Sequence, residues 1–123
     1  MKTLKTYKLA NENHLLKLFE NSTWVAEAEL SIESPDKFFD ENYVSVCDLE
    51  VFEPFQGEGY GKQLLNKIFD YVKNELKLNI ITLIVEKANY KAVNLYFNNG
   101  FKVFMEYKHS YSLVKKLNNN KYK

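Results

Sequence analysis

Residues 49–62 read LEVFEPFQGEGYGK, and the fold turns on how this stretch is parsed. Leu49, Val51 and Phe52 end a run rich in β-branched and aromatic side chains, YVSVCDLEVF over residues 43–52, which predicts the central strand. Pro54 stops that strand, because a fixed φ and a missing N–H do not suit a continuing ladder. Gly57, Gly59 and Gly61 follow, and then Leu64, Leu65, Ile68, Phe69, Val72 and Leu76 draw one apolar stripe down a helix over 60–77. Glycines between a strand end and a helix start let the backbone approach a bulky anion, which the free N–H groups and positive dipole end of the first turn then meet. A tight strand-to-helix turn needing positive φ would use the same glycines.

Downstream, NIITLIVE (79–86) is a short and nearly continuous apolar run. It predicts a strand covered on both faces and parallel to the central one, completing a strand–helix–strand unit. Asn89 is placed to cap a helix over 89–98, and Gly100 follows where a helix end favours positive φ. Phe101–Tyr107 and Tyr111–Leu117 close the chain as two strands around Lys108 and His109. Upstream, residues 3–9 suit a strand, and Trp24 to Ile32 alternate with period two. Between them HLLKLFENS fits either a short helix or a hairpin turning at Asn21 and Ser22, with the hairpin favoured. A polar connection runs over 34–42. The tail 118–123 has nothing to bury and is expected to fray.

The chain has 123 residues, 46% hydrophobic and 15% aromatic, which suits one domain over 1–123 and argues against intrinsic disorder. Its formal charge of +1 provides no field to gather polyanions, so a general nucleic-acid binder is disfavoured. The start MKTLKTYKLANE lacks an apolar core, and Ile80 to Val85 is too short to span a bilayer, so a cytoplasmic protein off the membrane is expected. One cysteine, Cys47, makes no internal disulfide, and His14 and His109 lack ligand spacing; no metal site is expected. The glycine loop fails two phosphate-binding patterns. Only three residues separate Gly57 from Gly61, and Gln63 rather than Ser or Thr follows Lys62, which rejects a Walker A loop. Lys62 stands where the dinucleotide fingerprint needs its third glycine.

The segment resembles the Gcn5-related N-acetyltransferase (GNAT) superfamily. Gln56, Gly59 and Gly61 fill the acyl-CoA loop Q/R-x-x-G-x-G/A, preceded by Leu49, Val51 and Pro54. Asn89, Ala92, Leu95, Tyr96, Gly100 and Phe101 fill the second block, N-x-x-A-x-x-L-Y-x-x-x-G-F, and the likeness spans about residues 43–117. The resemblance implies an α/β (α+β) GNAT-like fold with a mixed, mostly antiparallel sheet and helices flanking a splayed parallel strand pair. Pantetheine would enter that gap and pair with main-chain groups of Glu50, Val51 and Phe52. Backbone N–H groups of Gln56, Gly57, Glu58, Gly59, Tyr60, Gly61 and Lys62 would hold the pyrophosphate. Asn89 would contact the CoA side, although a helix N-cap accounts for it equally.

The activity so implied is transfer of an acetyl group from acetyl-CoA to a primary amine by direct attack in a ternary complex. A main-chain N–H near Val51 or Phe52 would polarise the carbonyl, and Tyr96 would protonate the departing sulfur. The family often places its base on the strand before the loop, and the matching position here is Cys47. Asp48 and Glu50 share a face, so either could take the amine proton, and Asp48 is favoured. Cys47 as an acyl carrier lacks a partner in sequence and is expected to be buried. Two departures stand out: Glu58 occupies a position where relatives carry Lys or Arg, and only about 42 residues precede the central strand, too few for the two helices that usually wall the acceptor site. The alternative is a non-catalytic acyl-CoA-binding or regulatory module. The acceptor, a small molecule or a protein amine, is not readable, and a homodimer is plausible.

Overall fold

The central run is the middle of a seven-stranded sheet ordered β1-β2-β3-β4-β5-β7-β6 in the computed structural model, which describes residues 1–117. The tail 118–123 lies outside the described residues. Strands β1 (Lys2–Lys8), β2 (His14–Glu20), β3 (Thr23–Glu33) and β4 (Tyr43–Val51) form an antiparallel meander. The hairpin reading of HLLKLFENS therefore holds: Leu16 and Leu18 are fully buried and Asn21 turns the chain with φ +58°. After the glycine loop come helix α1 (Tyr60–Asp70), strand β5 (Ile80–Glu86), helix α2 (Tyr90–Asn98), and strands β6 (Lys102–Glu106) and β7 (Ser110–Lys116). β5 is parallel to β4 and antiparallel to β7. Among the described residues no helix is long and apolar enough to cross a membrane.

Both helices lie on one face of the sheet. Leu64, Leu65, Ile68 and Val72 pack against Leu16, Leu18, Ala26, Ala28, Leu30, Val44 and Val46, and Tyr96 of α2 joins the same cluster. A β-bulge keeps β4 in phase with this core. Leu30 pairs with Val46 but Glu29 pairs with Asp48, so Cys47 is an extra residue. Val44 and Val46 before it, and Leu49 and Val51 after it, consequently share the helix-covered face, while Asp48 and Glu50 turn to the other.

Three expectations are corrected. The helix foreseen over 60–77 is α-helical only to Asp70 and continues as a π-helical turn over Tyr71–Glu75, in which the N–H of Leu76 donates to Tyr71 O at 3.1 Å. β5 is covered on both faces only where it begins: Ile80 and Ile81 are both buried, but Ile84 is 69% exposed. The last hairpin begins at Lys102, because Phe101 instead packs edge-on to Tyr96, with ring centroids 5.6 Å apart.

Candidate active site

The parallel pair β4–β5 is hydrogen-bonded over only three rungs, Val44 with Ile81, Ser45 with Thr82 and Val46 with Leu83. Beyond them the strands separate, and a recess of about 290 Å³ opens between Cys47, Asp48 and Leu49 on one side and Ile84, Val85 and Glu86 on the other. Tyr96, Ala92, Leu95 and Asn89 of the α2 region form its floor. A second recess, about 540 Å³, continues from it along Leu49, Asn89, Ala92 and Leu95 to Gln56, Gly57, Gly59, Tyr60, Gly61 and Lys62. The two share residues and make one groove from the glycine loop to the tyrosine.

Each glycine has a distinct task in shaping that groove. Gly59 is the N-cap of α1 at φ +88°, a conformation that costs a side-chain-bearing residue about 1 kcal/mol or more. Gly61 lets the helices approach, since a Cβ there would lie 3.1 Å from Leu95 Cδ2. No side chain caps the first turn of α1 and none of its residues is acidic, so its N–H groups have neither a side-chain cap nor an acidic neighbour within that turn. Lys62 and Lys91 line the same recess and supply positive charge. Gln56 has a structural partner: its Nε2 donates to Val51 O at 2.9 Å, tying the loop to the end of β4. Glu58 is exposed and does not line the groove. Tyr60 lines it through its ring body, while its hydroxyl reaches Glu20 at 3.4 Å.

The N–H of Phe52 donates to Val25 O of β3 at 3.0 Å, so it is not available to the gap, and the Phe52 ring stacks edge-on against Trp24. Alternation along the strand directs the N–H of Val51 the other way, towards the splay. Of the two expected carbonyl-polarising donors, Val51 is the one the backbone leaves open. Asn89 Oδ1 accepts from Ala92 N at 3.3 Å, and the same residue lines both recesses.

Tyr96 is 7% exposed and lines the gap. Burial, with a contribution from the charge of Asp48, raises its phenol above the ordinary value, so it holds its proton at neutral pH. Asp48 and Glu50 are both exposed on the strand face away from the helices. Cys47 is also exposed, contrary to expectation, because it is the bulged residue. Its thiol is held above the ordinary value by burial and by Glu29, Glu33 and Asp48, which disfavours the thiolate a nucleophile needs.

Sequence reading missed three participants. Glu27 of β3 pairs across from Glu50, and carboxylate oxygens of Glu27, Asp48 and Glu50 lie within 4.8 Å of one another. Burial, then Asp48 and Glu50, raise its carboxyl above the ordinary range. Only cross-strand register brings this trio together. Lys91, the second residue of α2, could have been found from its position two residues after Asn89. Ile84 could not, since a continuous apolar run does not say which of its members is uncovered.

The Acetyltransferase (GNAT) family model matches residues 2–101. The chain is 33% identical over 70 residues to the acetyltransferase PseH of Campylobacter jejuni, an alignment covering 57% of this chain and 45% of that relative. The chain thus spans less than half the length of the curated relative it matches. The crystal structure of Campylobacter jejuni N-acetyltransferase PseH in complex with acetyl coenzyme A superposes with a TM-score of 0.76 at 18% identity, covering 96% of this chain and all (100%) of that one. The ribosomal-protein-S18-alanine N-acetyltransferase from Escherichia coli superposes with a TM-score of 0.76 at 13% identity, covering 97% and 96%. At these identities the two structures share the fold.

Proposed function

The chain belongs to the acetyltransferase (GNAT) family, and on that premise we propose that it acts as one domain which transfers an acetyl group from acetyl-CoA to a primary amine. The observation that carries this reading is the continuous groove from the uncapped first turn of α1 to Tyr96, lying in the splay of β4 and β5. The N–H groups of Tyr60, Gly61 and Lys62, with the Lys62 and Lys91 ammonium groups, hold the pyrophosphate. The splayed edge of β4 then receives pantetheine along Leu49 and Val51. The N–H of Val51 hydrogen-bonds the thioester oxygen, a fixed donor in a narrow gap that needs no reorganisation as negative charge grows there.

The acceptor nitrogen attacks the carbonyl carbon from the side of Asp48, forming the C–N bond as the C–S bond breaks. Its surplus proton passes to Asp48, directly or through water, and the sulfur leaves with the phenolic proton of Tyr96. Tyr96 is suited to this because it lines the gap and a phenol carries its proton at neutral pH. The test is thermal unfolding with acetyl-CoA, CoA, NAD and ATP, followed by thiol release with a panel of amines. Stabilisation by acetyl-CoA and CoA but not NAD, with amine-dependent thiol release, is expected. No response to acetyl-CoA would overturn the reading, and binding without transfer to any amine would favour a regulatory acyl-CoA-binding module.

A further inference from the structure

The face of the sheet away from the helices carries a third recess, about 180 Å³, next to the gap. The segment between β3 and β4 folds over it, and Phe38 and Phe39 meet Phe104 of β6 at ring-centroid distances of 5.5 and 5.4 Å. Tyr43 and Tyr107 complete the aromatic wall. This recess and the gap share Leu83 and Ile84. Resting on the acetyltransferase reading, we propose that the aromatic recess holds the apolar, ring-sized end of a small-molecule amine acceptor whose amino group reaches the gap beside Asp48.

Three observations select that chemistry. Ile84 is 69% exposed on a strand flanked by β4 and β7, and it lies on the path between the two recesses. An apolar group seated there removes it from water. The acidic member of the wall, Asp36, is already held by the Tyr43 hydroxyl at 2.6 Å and by the amides of Phe38 and Phe39 at 2.9 and 3.1 Å. These three bonds occupy most of its acceptor positions, and Phe38, Phe39, Phe104 and Tyr107 line the recess beside it, so the wall favours a ring over the second ammonium of a diamine. Finally, the recess sits over the Ser45–Thr82 rung, two to three residues before Asp48, so ring and amine are separated by about 7–10 Å at the usual strand rise. Negative charge from Glu27, Asp48 and Glu50 draws the amino end towards the gap.

The experiment compares ethylamine, 1,4-diaminobutane and 4-phenylbutylamine, an aryl amine whose extended chain is long enough for that separation, as acceptors by thiol release, with acetyl-CoA binding followed separately by thermal shift. The aryl amine is expected to exceed both others in kcat/KM by at least about tenfold, a range that burying one apolar group commonly spans. Phe104→Ala is expected to erase most of that preference through KM. Ile84→Ser, at an exposed position, is expected to lower kcat/KM severalfold more for the aryl amine than for ethylamine. Equal use of the three amines, or preference for the diamine with Ile84→Ser neutral, would overturn the inference while leaving the acetyltransferase reading intact. A dimer that Ile84→Ser dissociates would assign the face to a second copy and also overturn it. Absence of acetyl-CoA binding would remove the premise itself.

Discussion

Tyr96 is a buried residue that lines the gap, and its packing and its proposed proton donation can be separated by removing one oxygen. Tyr96→Phe is expected to keep the contact with Phe101, unfold within a degree or two of the parent and bind acetyl-CoA as well, while kcat falls by about a hundredfold or more. Single-turnover thiol release checks this. Glu27 tests a different property. Burial, then the charges of Asp48 and Glu50, hold its carboxyl above the ordinary 4.5, with Lys17 opposing and Glu29 adding to the rise. The folded state thus binds this proton more tightly than the unfolded one. The stability so gained is fully present below about pH 4.5 and is lost as pH rises through the folded value. Glu27→Gln removes that loss: its melting temperature should match the parent near pH 4 and exceed it by a few degrees near pH 7. Equal melting temperatures across that range would show that Glu27 feels no such environment. Sequence alone named Tyr96 and Asp48 through motif position, but not Glu27, whose setting exists only once β3 and β4 pair.

At the scale of elements, the strands, both helices and the hairpin before β3 were legible because apolar period and turn residues agreed. The π-helical turn after Asp70 and the bulge at Cys47 were not, since each inserts one residue without a distinctive side chain. The α1–α2 contact gives a direct prediction. Gly61→Val places carbons where a Cβ alone would stand 3.1 Å from Leu95, and is expected to destabilise by about 1–3 kcal/mol in denaturant titrations and to weaken acetyl-CoA binding as the helices part. Asn89 separates capping from ligand contact. Asn89→Asp retains an N-cap oxygen and should hold the melting temperature, yet bring negative charge to the groove and weaken acetyl-CoA binding; Asn89→Ala should cost about 1 kcal/mol of stability. Unchanged affinity in Asn89→Asp would leave this residue only its cap.

For the molecule as a whole, near-neutral net charge hides a local division: Lys62 and Lys91 line the recess by the glycine loop, and the carboxylates of Glu27, Asp48 and Glu50 cluster on the strands β3 and β4. Acetyl-CoA affinity should fall with added salt, and Lys91→Ala should weaken it by about threefold to tenfold, both read by isothermal titration. Composition gave the size and balance of the chain but not this separation, which depends on which strands become neighbours. The three rungs between Val44–Val46 and Ile81–Leu83 carry a last consequence, in time. Each half of the sheet pairs antiparallel neighbours close in sequence, whereas this junction joins strands that the glycine loop and α1 separate in the chain. Non-local parallel pairing is slow to form. Pulse-labelled amides in the first hairpins should therefore gain protection early in refolding, and those at the junction late, so that the groove is the final part of the molecule to come into being.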